Sequence, residues 1–149
     1  MLALLRAALP TGSCTFEKNG CGWAEGGKKN GWKRGTRTPS SSTGAAKGQG
    51  GKGSFYFLET SSGKKGDTSY LTHTITEGSD LYKSVSFYYH MHGATMGALS
   101  VQAQVGGAWR TVWKKEKQQQ KRQTDKFIMA KVRHNMKHTR LSSQGRPIR

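Results

Sequence analysis

Residues 84–113 read SVSFYYHMHGATMGALSVQAQVGGAWRTVW. Val85, Phe87, Tyr89 and Met91 recur at period two, and so do Leu99, Val101, Ala103 and Val105. A strand sends successive side chains to opposite faces, so each set lines one face of a strand. Gly106-Gly107 joins the second set to a third run, in which Trp109, Thr111 and Trp113 alternate. Two glycines between alternating runs signal a two-residue hairpin. The stretch therefore predicts an antiparallel meander with one buried face.

Upstream, SFYFLE (54–59) and TSYLTHTIT (68–76) read as two more strands, the second with Leu71, His73 and Ile75 on one face. SSGKKGD (61–67) and EGSD (77–80) have turn composition. Residues 14–34 read as short strands and turns. The expected core is Phe16, Trp23, Trp32, Phe57, Phe87, Tyr89, Met91, Leu99 and Val101. GTRTPSSSTGAAKGQGGKG (35–53) has loop composition and no apolar face to bury. Beyond Trp113 the chain becomes charged and Gln-rich (KKEKQQQKRQ, 114–123). Ile128, Val132 and Met136 recur at i, i+4, i+8, which predicts a helix over 126–137, and 142–149 reads as a disordered end.

The formal net charge is +17, and residues 114–149 carry 12 Lys and Arg against 2 Asp and Glu. That asymmetry suggests a basic tail on a milder domain. The expected organisation is an N-terminal segment (1–13), one β domain (14–113) and a basic tail (114–149). MLALLRAALP has an apolar run broken by Arg6 and reads as a weak or truncated signal segment. No window reaches the roughly 18 apolar residues of a membrane span. Cys14 and Cys21 lie close together in CTFEKNGC, which points to a local disulfide in an oxidising compartment; the alternative is two free thiols in a cytosolic chain. A zinc site lacks a second Cys or His pair of matching spacing.

Several of these pieces, in this order, resemble the MAM domain, an extracellular module of meprins, neuropilins and receptor tyrosine phosphatases. Cys14, Phe16-Glu17 and Cys21-Gly22-Trp23 are similar to the family's opening, and Trp32-Lys33-Arg34 to its Trp-basic step. Thr43-Gly44 and the strand Phe55–Glu59 resemble the segments that follow. Phe87-Tyr88-Tyr89-His90-Met91-His92-Gly93, with Met96-Gly97-Ala98-Leu99-Ser100-Val101 after it, is the strongest match. The resemblance implies an all-β, jelly-roll-like antiparallel sandwich and a Cys14–Cys21 disulfide. It also implies a second disulfide, whose first cysteine would stand about where Ser84 is, and closing strands with an Asp-Asp pair. Neither that cysteine nor that pair is present. The expectation is an incomplete sandwich with a tail partly helical or disordered, in a fragment or a misjoined gene product.

Each chemically suggestive group has a plainer reading beside it. Glu17 matches a position that helps bind calcium in some family members, but calcium takes six to eight oxygens and Lys47 and Gly48 stand where acidic partners would be. The plainer role is a Glu hydrogen-bonded to loop backbone. His90 and His92 share a strand face and would need further ligands to hold zinc or copper, so they read as non-core neighbours of Tyr89 and Met91. GQGGKGS (48–54) lacks the Gly-Lys-Ser/Thr ending of a phosphate-binding loop, and no Ser sits in a nucleophile elbow. No catalytic residues and no cofactor are expected. The reading is a non-enzymatic extracellular interaction or adhesion module that binds other proteins, homophilic binding included, and is either extracellular or attached to the membrane through a larger parent. The alternative is a polyanion-binding protein acting through Lys114, Lys115, Lys121, Arg122, Lys131 and Arg133, with Phe127 the one aromatic in the tail, so that base stacking is minimal.

Overall fold

The computed structural model describes residues 2–8, 14–27, 31–59, 64, 66–74, 82–105, 107–136 and 138–144. The EGSD turn and residues 145–149 lie outside them, as does Ile75. Among the described residues, ten strands form two antiparallel sheets: β1 (Leu2–Ala8), β2 (Ala24–Gly27), β3 (Lys33–Gly35), β4 (Phe55–Leu58), β5 (Thr68–Thr74), β6 (Tyr82–Met91), β7 (Ala98–Val105), β8 (Ala108–Glu116), β9 (Ile128–Met136) and β10 (His138–Gln144). The first sheet has the order β3-β4-β1-β6-β9 and the second β2-β5-β10-β7-β8. The chain is an all-β sandwich.

The alternation in β6 and β7 sets the core. Val85, Phe87, Tyr89 and Met91 are at most 2% exposed, and Leu99, Val101 and Ala103 are fully buried. Trp113 on β8 packs edge-to-face on Phe87, with ring centroids 5.1 Å apart. Phe16, Trp23, Trp32 and Leu71 join the same cluster. Each large apolar side chain buried this way contributes about 1.5–3 kcal/mol. The β7–β8 hairpin pairs Val105 with Ala108, and Gly107 has the positive φ (83°) that tight hairpin turns favour.

Two expectations for the C-terminal third are overturned. The segment expected to be helical is strand β9, paired along β6 from Tyr89↔Ile128 to Tyr82↔Met136. Residues at i and i+4 also share a strand face, so the Ile128/Val132/Met136 spacing fits both periods, and Ala130 supplies the intervening position. Ala130 and Val132 are 7% and 5% exposed and face Phe87 and Val85. Nor are the closing strands missing. β9 extends the first sheet, and β10 lies inside the second, bonded to β5 on one side and β7 on the other. Ser142, expected in a disordered end, is 3% exposed, and its carbonyl accepts a hydrogen bond from Ser100 Oγ at 3.3 Å. Ser84 pairs with Arg133 on the face away from the core.

Strand parity gives a direct test of β9. Val132→Asp places a carboxylate between the sheets and should cost about 3 kcal/mol or more in urea unfolding, whereas Lys131→Asp one residue away should stay within about 0.5 kcal/mol.

Candidate interaction face

The outer face of the first sheet is covered by two loops over its upper half. β4 is buried at all four positions because both of its sides are covered. Tyr56 and Leu58 enter the inter-sheet core, while Phe55 and Phe57 form a second cluster with Ala45, flanked by Tyr88 and Phe127. Phe57 is therefore buried in this outer cluster and not between the sheets. The segment 35–53, expected to have nothing to bury, forms one side of this cover. Thr38 is 4% exposed, and its Oγ1 donates to the carbonyls of Thr43 and Ala45, both at 3.0 Å. Gly44 N–H donates to the His92 carbonyl at 2.8 Å, which docks the loop on the end of β6.

The other side of the cover is the Gln-rich run, whose glutamines fix it in place. Gln120 is 4% exposed. Its Oε1 accepts Met91 N–H at 2.6 Å, and its Nε2 donates to the carbonyls of Tyr89 (3.2 Å) and Lys126 (3.3 Å). β9 begins opposite Tyr89, so beyond that point β6 has no strand partner on this side, and the carboxamide supplies the donor and acceptor a peptide would. Gln118 Oε1 accepts Gly93 N–H at 3.0 Å. Gln123 Nε2 donates to the carbonyls of Ser40 (3.0 Å) and Thr43 (2.8 Å), and its own carbonyl accepts Ala46 N–H at 3.1 Å, so it joins the two loops. No periodicity marks these glutamines; in sequence they look like a solvated polar run. Between the loops lies an open groove of about 750 Å³, walled by residues 46–51 and 123–127, with Tyr88 among its lining residues.

His90 lies beneath this cover, fully buried, its ring 5.3 Å from Phe127 and 6.4 Å from His92. Neither ring nitrogen makes a hydrogen bond within the protein, although the backbone of Arg122 and Asp125 lies near enough to favour the charged form slightly. Burial, and next the neighbouring His92, lower its pKa to about 4. The Asp125 carboxylate caps the turn by accepting the N–H groups of Lys121 and Arg122, both at 2.9 Å, and this holds it below the usual carboxylate range.

At the opposite end of the chain, Cys14 and Cys21 form a disulfide with Cα atoms 5.9 Å apart. Closing so short a loop contributes about 2.5 kcal/mol in the chain-entropy picture. Phe16 holds a left-handed φ of 60°, and Arg34 Nη1 donates to the Phe16 and Glu17 carbonyls at 3.0 and 3.1 Å. Glu17 Oε2 accepts Ser54 N–H at 3.0 Å, the loop contact of the plainer reading. No group of three or more His, Cys, Asp or Glu able to hold a metal occurs among the described residues. The cationic residues of the tail are exposed but scattered. Lys131 and Arg133 sit on the outer face of the first sheet, opposite Ser86 and Ser84. Lys114 lies on the outer face of the second sheet, opposite Ser100, and forms an ion pair with Glu116 at 2.6 Å. Lys115 pairs with Leu99 at the inner rim, and Lys121 and Arg122 lie in the connecting loop.

A disulfide-stapled antiparallel sandwich with one loop-covered sheet face defines the class as a β-sandwich module. The sequence matches the family "MAM domain, meprin/A5/mu" over residues 14–141, and the chain belongs to that family. It is 35% identical over 96 residues to MAM domain-containing protein 2 of Mus musculus, a match covering 62% of this chain and 14% of that protein. It is 34% identical over 93 residues to thyroid hormone-induced protein B of Xenopus laevis, covering 60% of this chain and 14% of that protein. The chain thus spans about one-seventh of the length of these relatives. No helix among the described residues is long and apolar enough to cross a membrane.

Gln120→Leu removes the acceptor of the buried Met91 N–H and the donor to the Tyr89 and Lys126 carbonyls. At about 1–3 kcal/mol per orphaned group, it should lower unfolding free energy by about 2–4 kcal/mol, with Gln119→Ala close to neutral. His90 makes stability pH-dependent. Its folded pKa is below the unfolded value near 6.5, so the unfolded state binds more protons between the two and stability falls as pH drops from 6.5 towards 4. Between pH 7 and pH 5 the wild type should lose about 2 kcal/mol more than His90→Phe, measured as the shift in urea midpoint at constant m-value.

Proposed function

We propose that this chain is a non-catalytic extracellular interaction module, part of a longer protein, that binds other proteins through its surface. The observation that supports this most is the filling of the interior. The inner side of β6, and the outer side at its C-terminal end, are packed with aromatic and apolar groups, so recognition falls to sheet faces, strand edges and loops. The disulfide fits an oxidising compartment, as does the family's extracellular or membrane-attached setting. The loop cover over β4 and β6 is the best candidate contact surface, because its shape is fixed by buried side-chain hydrogen bonds. An ordered surface binds with less loss of conformational freedom than a mobile one. Adhesive and homophilic binding are forms this function would take.

Binding to cells tests the reading. Fluorescently labelled protein should bind intact cells saturably, compete with unlabelled protein, and lose most binding after trypsin treatment of the cells. Non-saturable binding, or binding untouched by trypsin, would sink it. Sedimentation velocity across a hundred-fold concentration range checks the homophilic form, which requires a concentration-dependent dimer.

A further inference from the structure

We propose that the outer face of the first sheet, along the β6–β9 edge, binds a sulfated polysaccharide through Lys47, Lys126, Lys131 and Arg133. The strand register supplies the geometry. Ala130 and Val132 point into the core, so Lys131 and Arg133 project outward, spaced about 7 Å apart along β9. They pair with Ser86 and Ser84, small side chains that leave the face low and polar. Met129, 55% exposed, is the next outward residue, opposite Tyr88, and Tyr88 lines the groove. Lys126 and Lys47 are exposed on the two opposing walls of that groove. The cations therefore run from the groove down the strand as a row, which suits a linear chain better than a compact anion.

The charge balance of this face is one-sided. Among the groove-lining residues Asp125 is the one carboxylate, against the two cations Lys47 and Lys126, and its Oδ2 accepts two backbone N–H groups. None of the four cations has an ion pair among the described residues, in contrast to Lys114 with Glu116. The Gly-rich wall adds backbone that a ligand can approach closely, since Gly50 and Gly51 have no side chains and hold positive φ of 74° and 85°.

Between the two classes of linear polyanion, the structure favours the polysaccharide. Single-stranded nucleic acid binding relies on aromatic rings free to stack on bases. Here Phe127 packs on Phe55 at 5.8 Å and on His90 at 5.3 Å, and Tyr88 packs against the same cluster. The choice of a sulfated sugar also rests on the extracellular reading above.

Heparin binding to the full chain, measured against sodium chloride concentration, tests the proposal. Lys131→Ala/Arg133→Ala and Lys47→Gln/Lys126→Gln alter two separate segments, so a folding defect in one leaves the other informative. Each pair should weaken binding roughly ten-fold at physiological salt and lower the slope of log affinity against log salt by about two. Lys18→Gln/Lys64→Gln removes the same charge from the disulfide loop and the β4–β5 connection and should change affinity less than roughly two-fold. Hyaluronate, which carries carboxylates and no sulfates, should bind more weakly than heparin. Equal losses in all three variants would reduce the effect to net charge and overturn the proposal, as would unchanged affinity in both face variants or equal binding to hyaluronate. Single-stranded DNA binding as tight as heparin and lost in the same variants would assign the face to nucleic acid instead. Trypsin-sensitive binding to heparinase-treated cells would leave the protein-interaction reading standing on its own.

Discussion

The C-terminal end of strand β6 is covered on both faces, and this constraint propagates through the rest of the structure. The strand's inner side chains meet the second sheet; the outer ones at its C-terminal end, Tyr88 and His90, lie under two loops. A central strand with water on one side would need only its ladder bonds. One covered on both sides must also satisfy every backbone group near its end, because an unpaired buried N–H costs about 1–3 kcal/mol. β9 reaches only to Tyr89 on that edge, so Met91 would be left with an orphan donor. Gln120 fills that position, and the loop carrying it is thereby tied to the sheet. The same cover excludes water from His90 and keeps its imidazole neutral in the folded state.

The fold's first half was legible because its signals are local. Period-two alternation in β6 and β7, the Gly106-Gly107 hairpin and the β4 aromatics each report on a few adjacent residues. The family resemblance rested on such local motifs too. β9 reads as a helix in sequence for a specific reason: Ile128, Val132 and Met136 satisfy both a helical and a strand period, and only the register against Val85 and Phe87 separates them. β10 carries no usable pattern, since HTRLSSQ mixes polar residues on both faces. It is a strand because β5 and β7 bond it from both sides, a non-local fact.

The candidate face was less legible than the fold, and for a related reason. Its determinants are glutamines that bond backbone groups far away in sequence, as Gln123 bonds Ser40 and Thr43. A glutamine in such a clamp looks the same in sequence as one in solvent. The charge excess of the last third was plain from composition, but its division was not. Register alone separates Lys131 and Arg133 from Lys114 and Lys115, placing the first two outward on one sheet, and the others on the outer face and inner rim of the second.

That division changes what the positive charge can do. In a mobile tail, cations attract any polyanion, and each residue ordered on binding loses about 1–2 kcal/mol of conformational freedom. On β9 the backbone is already ordered by its ladder with β6, and only the long side chains lose freedom. Coulomb attraction between exposed charges is weak and screened beyond a Debye length of about 8 Å. A ligand gains appreciably only when several of its charges meet several cations at matching spacing, and a fixed row supplies that spacing where a tail does not. The same +17 chain therefore discriminates among polyanions by geometry only if its cations are held on strands and braced loops, as Lys47, Lys126, Lys131 and Arg133 are.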